Sequence, residues 1–364
     1  MTVKFSNYTM NLIEKLEYVV KKYLKIFIIS LIALSTIIIF YNAGYKCLAI
    51  VLFLFMFGAA IFYQKIYEKN VVQLNMAVVI IGCDSGLGYS LAVYCRSLGF
   101  AVIASVLDID GPNVNELLEL GVYIYKLDIT IKESIQNFGV DIRECLKNNK
   151  LVLYALINNA GLMIIGDFEW QTDDQILHQV NVNVVGTIRI TKELLPLLRD
   201  DKGRIIFISS HCTVEPLPSF SIYGATKSSI RAWASALRVE LNDQGIKVVC
   251  FAPGSFFLQS NIMSRQVEYF KEMEDSMRND VWKFHCEVFK KVEQYFKNVA
   301  AYVRPQKVIN AILYAVFRDA VLDKYPSSFY EVCPWRYTYY HTFCYISPTY
   351  LRDILIQKFI QIPR

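Results

Sequence analysis

Histidine is scarce in this chain: four among 364 residues, His178, His211, His285 and His341. Their spacing matches no metal-ligand pattern, so no metal is expected. No C-x-x-C occurs among the nine cysteines (Cys47, Cys83, Cys95, Cys145, Cys212, Cys250, Cys286, Cys333, Cys344), and their number is odd. That argues against a disulfide framework and for reduced, mostly buried thiols. The net charge of +5 is not gathered into a basic block, so nucleic acid is not an expected partner. Charge is also thin near the start. Between Ile26 and Gln64 the one charged residue is Lys46.

What fills that stretch is apolar. Ile26 to Tyr41 and Cys47 to Tyr63 each approach the roughly 20 residues that span a bilayer. Asn42-Ala43-Gly44 between them signals a turn. The spacing predicts a transmembrane hairpin over 26–63, after a polar segment 1–25 and before a linker 64–75. A signal peptide does not fit, because the apolar region is too long and starts too late. Lysines flank both outer ends, Lys22 and Lys25 before, Lys65 and Lys69 after, which puts both in the cytoplasm. The alternative is one long embedded segment with a snorkelling Lys46. On the hairpin topology the sequon Asn7-Tyr8-Thr9 never meets the lumen.

From Met76 the pattern changes to alternating strands and helices. Met76 to Ile81 is an apolar strand that runs into Gly82-Cys83-Asp84-Ser85-Gly86-Leu87-Gly88 and then a helix to Leu98. Strand, glycine turn and helix together form a dinucleotide-binding context: tight turn, close pyrophosphate approach, helix N-terminus. The spacing is G-x-x-x-G-x-G, and an ordinary tight turn is the plain alternative. Further strands are expected over Ala101–Leu107, Val122–Leu127, Leu151–Ile157 and Ile205–Ile208, with helices over 113–119 and 132–148. Strands apolar on both faces imply a parallel sheet covered on both sides. Asn183 and Gly186 are poor helix formers inside the stretch Val182–Leu198. Either something interrupts the helical ladder there, or Asn181 caps a helix start.

The chemistry points to Arg204–Lys227. An apolar strand ends at Ser209-Ser210, a loop with Pro216 and Pro218 follows, and a helical stretch then carries Tyr223 and Lys227. Four residues are about one turn, so phenol and ammonium share a face. A nearby cation is expected to lower the phenol pKa. The spacing alone is weak, since Tyr18 and Lys22 repeat it in the lysine-rich N-terminus without a serine strand.

These motifs together resemble the classical short-chain dehydrogenase/reductase family. The matching segments are G-C-D-S-G-L-G at 82–88, D-I-T at 128–130, N-N-A-G at 158–161, N-V-V-G at 183–186, Ser210, Y-G-A-T-K at 223–227 and P-G at 253–254. Within the family the chain is similar to the branch of estradiol 17-beta-dehydrogenase type 2, D-beta-hydroxybutyrate dehydrogenase and retinol/hydroxysteroid dehydrogenases. The resemblance implies an α/β fold, a Rossmann-type doubly wound parallel sheet over 76–364, here with the N-terminal transmembrane hairpin. It implies a catalytic set of Asn183, Ser210, Tyr223 and Lys227. Tyr223 would be the acid/base, Lys227 would lower its pKa and hold the ribose, Ser210 would bind the substrate oxygen, and Asn183 would seat a water. The implied cofactor contacts are Gly82, Asp84, Ser85, Gly86, Leu87, Gly88, Asp128, Ile129, Asn158, Ala160, Gly161, Tyr223, Lys227, Pro253 and Gly254. Two departures stand out. Ile81 replaces the usual threonine before the first glycine, and Ser255-Phe256-Phe257-Leu258 lacks the usual threonine after Pro-Gly, where Ser255 or Ser260 are candidate substitutes.

NAD is expected over NADP, because neither the glycine loop nor Ser105-Val106-Leu107-Asp108 offers a cation for a 2′-phosphate. Residues 258–300 occupy the family's lid position, with Tyr269, Phe270, Trp282, Phe284, His285 and Phe289. The tail 329–364 opens with an aromatic run (Phe329, Tyr330, Trp335, Tyr337, Tyr339, Tyr340, Phe343, Tyr345) read as pocket wall plus membrane interface. A last helix is expected over 349–360. A lipophilic secondary alcohol or ketone, steroid or retinoid, is the expected substrate. A 3-hydroxybutyrate-type hydroxy acid is the alternative, with Lys271, Arg278, Lys283 or Arg304 as a carboxylate clamp. The rival from another class is a non-catalytic scaffold. The expected place is the endoplasmic reticulum membrane with a cytoplasmic catalytic domain, or a mitochondrial membrane. Homodimer and homotetramer both stay open.

Overall fold

The computed structural model describes residues 30–31, 33–66, 68–215, 217–254, 261–301, 310–333, 335–360 and 362. The segment 1–25, with Asn7, Tyr18 and Lys22, lies outside the described residues, as do Ser255, Ser260 and Arg304. The chain divides into two compact units, 1–71 with 309–326, and 72–308 with 327–364.

In the first unit a helix over 33–42 (α1) is followed by a turn at Ala43-Gly44 and by α2 (Lys46–Ile66). Gly44 has φ +88°, which suits a residue without Cβ at a tight turn. Among the described residues no helix is long and apolar enough to cross a membrane. Residues of the expected linker are tied down in this unit. Lys69 pairs at 2.6 Å with Asp319, within α11 (Ala311–Leu322), and Lys324, just after that helix, pairs with Glu68 at 3.0 Å.

The second unit is built on a seven-stranded sheet: β1 (Met76–Ile81), β2 (Ala101–Val106), β3 (Tyr123–Lys126), β4 (Val152–Asn158), β5 (Arg204–Ile208), β6 (Lys247–Ala252) and β7 (Phe329–Glu331). Its order is β3-β2-β1-β4-β5-β6-β7, and every pairing is parallel. The strand order reverses between β1 and β4, the place where such sheets open a ligand crevice at their carboxyl ends. Parallel strands need crossovers, and the helices supply them: α3 (Gly86–Ser97), α4 (Val114–Glu119), α5 (Lys132–Asn148), α6 (Asp173–Val180), α7 (Thr187–Asp200) and α8 (Ser221–Glu240). One face of the sheet is sealed by apolar residues at helical spacing: Ile135, Phe138 and Ile142 of α5, Ile190, Leu194 and Leu198 of α7, and Ile230, Ala234 and Leu237 of α8. Val78 and Ile80 point to the other face and are also fully buried, so β1 is apolar throughout.

Between α6 and α7 the chain makes a π turn, Asn181–Gly186. Helix runs into it from both sides, so Asn181 starts no helix and the interrupted ladder is the correct alternative. The interruption brings Gly186 so close to Ile129 that a Cβ there would stand 2.8 Å from the Ile129 carbonyl oxygen.

A second core lies over the carboxyl edge. Helices α9 (Gln266–Ser276) and α10 (Asn279–Ala301) pack Phe270, Met273, Phe289 and Phe296 against Ile164, Ile165 and Trp170. Buried Gln266 fastens this layer, accepting from Ile165 N at 2.9 Å and donating to Ile165 O at 2.8 Å. The aromatic tail is helical too, as α12 (Trp335–Ile346) and α13 (Thr349–Ile360).

Candidate active site

The loops at the carboxyl edge and the α9–α10 layer enclose a cleft of about 760 Å³. Gly82 begins its floor with φ +81°, and a Cβ there would lie 2.9 Å from Ala160 Cα. A Cβ on Gly88 would collide with the Gly82 carbonyl and the Asn159 amide. These glycines let the loop fold flat against the β4 end. Asn159 Nδ2 donates to Gly82 O at 2.7 Å, and Gly82 N donates to Ser105 Oγ at 3.0 Å. Ser105 thus supplies a hydroxyl to the loop although Ile81 carries none, because the β1–β2 pairing sets it beside Ile81.

The N-terminus of α3 is open towards the cleft. Ser85 makes no side-chain cap bond, and no acidic residue stands in the first turn. Its backbone N–H groups and dipole are left for an anion. Asp84 is otherwise engaged: its Oδ1 accepts from Leu107 N at 2.7 Å and Asp108 N at 3.1 Å. It ties the glycine loop to the β2 exit. Asp128, at the β3 exit, accepts from Thr130 N at 2.8 Å and lines the cleft with Ile129. These features fit a nicotinamide dinucleotide: an open helix N-terminus, a backbone cradle that no Cβ could share, and a long cleft across the switch point.

Of the residues expected in the site, Gly82, Asp84, Ser85, Gly86, Leu87, Gly88, Asp128, Ile129, Ala160, Gly161, Ser210, Tyr223, Lys227, Pro253 and Gly254 line this one cleft. Asn158 and Asn183 do not. Asn158 Nδ2 donates to Thr191 Oγ1 of α7 at 3.0 Å, so the side chain ties β4 to a helix and faces away from the cleft. Its neighbour Asn159 faces in. The side chain of Asn183 bridges three groups. Its Oδ1 accepts from Leu162 N at 2.8 Å, and its Nδ2 donates to Leu162 O at 2.8 Å and Thr226 Oγ1 at 3.0 Å. It sits behind Gly161, whose absent Cβ would lie 3.1 Å from Lys227 Nζ and 3.2 Å from Asn183 Oδ1. That makes Asn183 a positioning residue that holds α8 against the β4 loop.

Tyr223 and Lys227 lie on one face of α8, both buried. Lys227 Nζ donates to Ile208 O at 3.1 Å and stands 5.9 Å from the centre of the Tyr223 ring. Burial pulls the ammonium down to about 8, partly opposed by the Cys250 and Cys212 thiols. For Tyr223 the structure corrects the expected direction. Burial pushes the phenol well above the usual tyrosine range, Cys212 adds to this, and a hydrogen bond with Ser210 only partly offsets it. Desolvation of the phenolate outweighs that bond. The resting Tyr223 therefore holds its proton. Ser210 caps the short turn His211–Thr213, accepting from Cys212 N at 3.3 Å, which keeps its hydroxyl at the cleft wall.

The lid and tail contribute less than their aromatic content suggests. Tyr269, Tyr295, Phe296 and Tyr337 line the cleft, whereas Phe270 and Phe289 form the lid's own core and Phe284 is 82% exposed. His285 pairs with Glu169 at 2.8 Å and does not line the cleft. Sequence reasoning missed Ser105, Asn159, Gln266 and Arg265. The i, i+1 pair Asn158-Asn159 carries no sign of which asparagine faces in.

The family model for short chain dehydrogenases matches residues 76–268. Rat estradiol 17-beta-dehydrogenase 2 is 31% identical over 299 residues, covering 78% of this chain and 74% of that protein. The mitochondrial D-beta-hydroxybutyrate dehydrogenase of rat is 32% identical over 267 residues, 70% of this chain and 77% of that protein. Rat retinol dehydrogenase 7 is 28% identical over 301 residues, 79% and 90% respectively. With the serine, tyrosine and lysine gathered at one cleft, the chain belongs to the short-chain dehydrogenase family and is an oxidoreductase acting on CH–OH groups.

Proposed function

We propose that this protein interconverts a secondary alcohol and a ketone on a lipophilic substrate such as a steroid or retinoid, with NAD, at a membrane. One observation carries the substrate class. The cleft wall beyond Tyr223 is apolar (Met163, Leu217, Phe220, Met263, Phe296), and the one Lys or Arg lining the cleft besides Lys227, among the described residues, is Arg265. Arg265 is already paired, Nε to Glu268 Oε2 at 2.9 Å, and lies over the Tyr269 ring. Lys271, Arg278 and Lys283 are exposed and away from the cleft. A flat apolar molecule binds such a wall by buried area. The second reading, a 3-hydroxybutyrate-type acid, is favoured by Arg265 alone, which would have to leave Glu268 to clamp a carboxylate.

The nicotinamide supplies the hydride acceptor or donor and, when oxidised, carries a positive charge. The chain's own residues handle the oxygen and its proton. Ser210 Oγ donates to the substrate oxygen. Tyr223 gives its proton to a ketone oxygen, or takes one from an alcohol, and the buried Lys227 ammonium stabilises the phenolate so formed. NAD is favoured over NADP because Asp84 and no Lys or Arg stands at the adenosine end of the cleft among the described residues. The test is kcat/KM for a hydroxysteroid and for 3-hydroxybutyrate, each with NAD and NADP. At least about 10-fold preference for the steroid with NAD is expected, a difference of about 1.4 kcal/mol. Preference for the hydroxy acid, lost in Arg265→Ala, would reverse the assignment.

Membrane anchorage rests on the two apolar runs between lysines and on apolar side chains exposed along α2, where Leu54 and Phe55 are 61% and 74% exposed. The hairpin puts the catalytic unit on the cytoplasmic face, with the endoplasmic reticulum preferred to a mitochondrial membrane. Extraction should then need detergent, and protease added to sealed microsomes should digest residues 76–364. A protected domain or a glycan on Asn7 would overturn the topology.

A further inference from the structure

At the turn that follows Ser210, three donors converge on one point. Glu331, the last residue of β7, presents Oε1 at 3.2 Å from Nδ1 of His211 and 3.2 Å from Nδ1 of His341 on α12. The three ligand atoms lie within 4.8 Å of one another. The Cys333 thiol is 3.5 Å from the same carboxylate oxygen. Both Nδ1 atoms are shut off from solvent, yet neither has an aligned hydrogen-bond partner in the structure. The two histidine side chains are only 13% and 10% exposed.

The tautomer of His211 sharpens this. Its Nε2 lies 3.1 Å from the Val332 carbonyl, which can only accept, so Nε2 carries the proton. In the neutral ring Nδ1 is then a bare lone pair aimed at a carboxylate oxygen. Lone pair against lone pair in a buried place is unfavourable unless a cation lies between them. A histidine whose far N–H is held by a backbone carbonyl is the usual way a metal ligand is oriented. The separations fit as well. Ligands at ~2.1 Å from a tetrahedral zinc stand ~3.4 Å apart.

We propose that His211, His341 and Glu331 form a binding site for one divalent transition metal of the zinc class. The donor set is two imidazole nitrogens and a carboxylate oxygen, which suits borderline zinc and not calcium or magnesium. The ligands come from three elements, the turn after Ser210, the end of β7 and the nearby α12, the first some 120 residues from the other two. A bound ion ties the edge strand and the aromatic tail helix to the backbone that holds the catalytic serine. Its role is to fix that turn. Tyr223 and Lys227 stand on α8, outside this ligand set.

The experiment uses the full chain in detergent, treated with chelator and then titrated with zinc chloride, and separately with cobalt chloride. Wild type should take up one tight equivalent, raise its Tm on loading, and give the visible absorption of four-coordinate cobalt. Glu331→Gln and His341→Ala should each weaken zinc binding by at least about 10²-fold, since a lost ligand costs no less than a lost outer partner. If a variant fails to fold, the wild-type cobalt spectrum and stoichiometry decide. No uptake by wild type, or uptake unchanged in folded variants, overturns the site. A Tm that moves with pH between 5 and 8 but not with zinc overturns it too, and assigns the cluster to a shared proton.

Discussion

Tyr223→Phe should lower turnover by about 10²-fold or more while leaving the fold and nicotinamide binding intact. The loss is confined to chemistry because the ring stays. The phenyl group still fills the buried place among Cys212, Met263 and the lid residues, and only the hydroxyl next to Ser210 goes. Burial holds the phenol protonated in the resting site, so the proton a ketone needs is in place at neutral pH. The variant has no proton to give. Steady-state kinetics with a ketone substrate, beside a cofactor titration, makes the comparison. Turnover near wild type in a folded variant would remove Tyr223 from the mechanism.

Lys227→Met should abolish turnover as deeply, yet it should not lower Tm at pH 7. The side chains are similar in length, and the ammonium is buried. Burial pulls Lys227 from its ordinary 10.5 down to about 8. The folded chain therefore releases this proton over a range in which the unfolded chain keeps it. Stability from this group rises as pH climbs from about 8 towards 10.5, and below about 8 the buried charge is a standing cost. Methionine removes the cost, against about 1.5–3 kcal/mol for the lost charged bond to Ile208 O. The variant's Tm should match or exceed wild type at pH 7, and its rise between pH 8 and 10 should vanish. Melting curves across that range, with activity at each pH, test both halves. A variant that keeps turnover, or that melts well below wild type at pH 7, would make Lys227 a structural residue.

Much of the architecture is legible in the residues because it is local. Met76–Ile81 reads as a strand because six apolar residues end at a glycine, and it is one. Lys132–Asn148 reads as a helix with an apolar stripe, and it is one. Tyr223 and Lys227 share a face because helical geometry puts residues four apart together. Where the reading fell short, the missing quantity was a relation between segments. The break at Asn181–Gly186 is a π turn, whose packing partner Ile129 lies more than fifty residues away.

The sequence by itself determined the order of the first five strands and the helices between them, the glycine loop at the first strand end and the serine, tyrosine and lysine that line the cleft. Each depends on periodicity or on spacing within one or two elements. The tertiary structure alone decided three other things. Depth of burial set the sign of the Tyr223 shift, because desolvation depends on everything packed around a group. Strand register chose Asn159 over Asn158 for the cleft and brought Ser105 beside the glycine loop, since a step of one residue reverses the face. And pairing β7 to β6 carried Glu331 to His211 across some 120 residues of chain, a meeting that no spacing in the sequence encodes because it is set by the sheet edge.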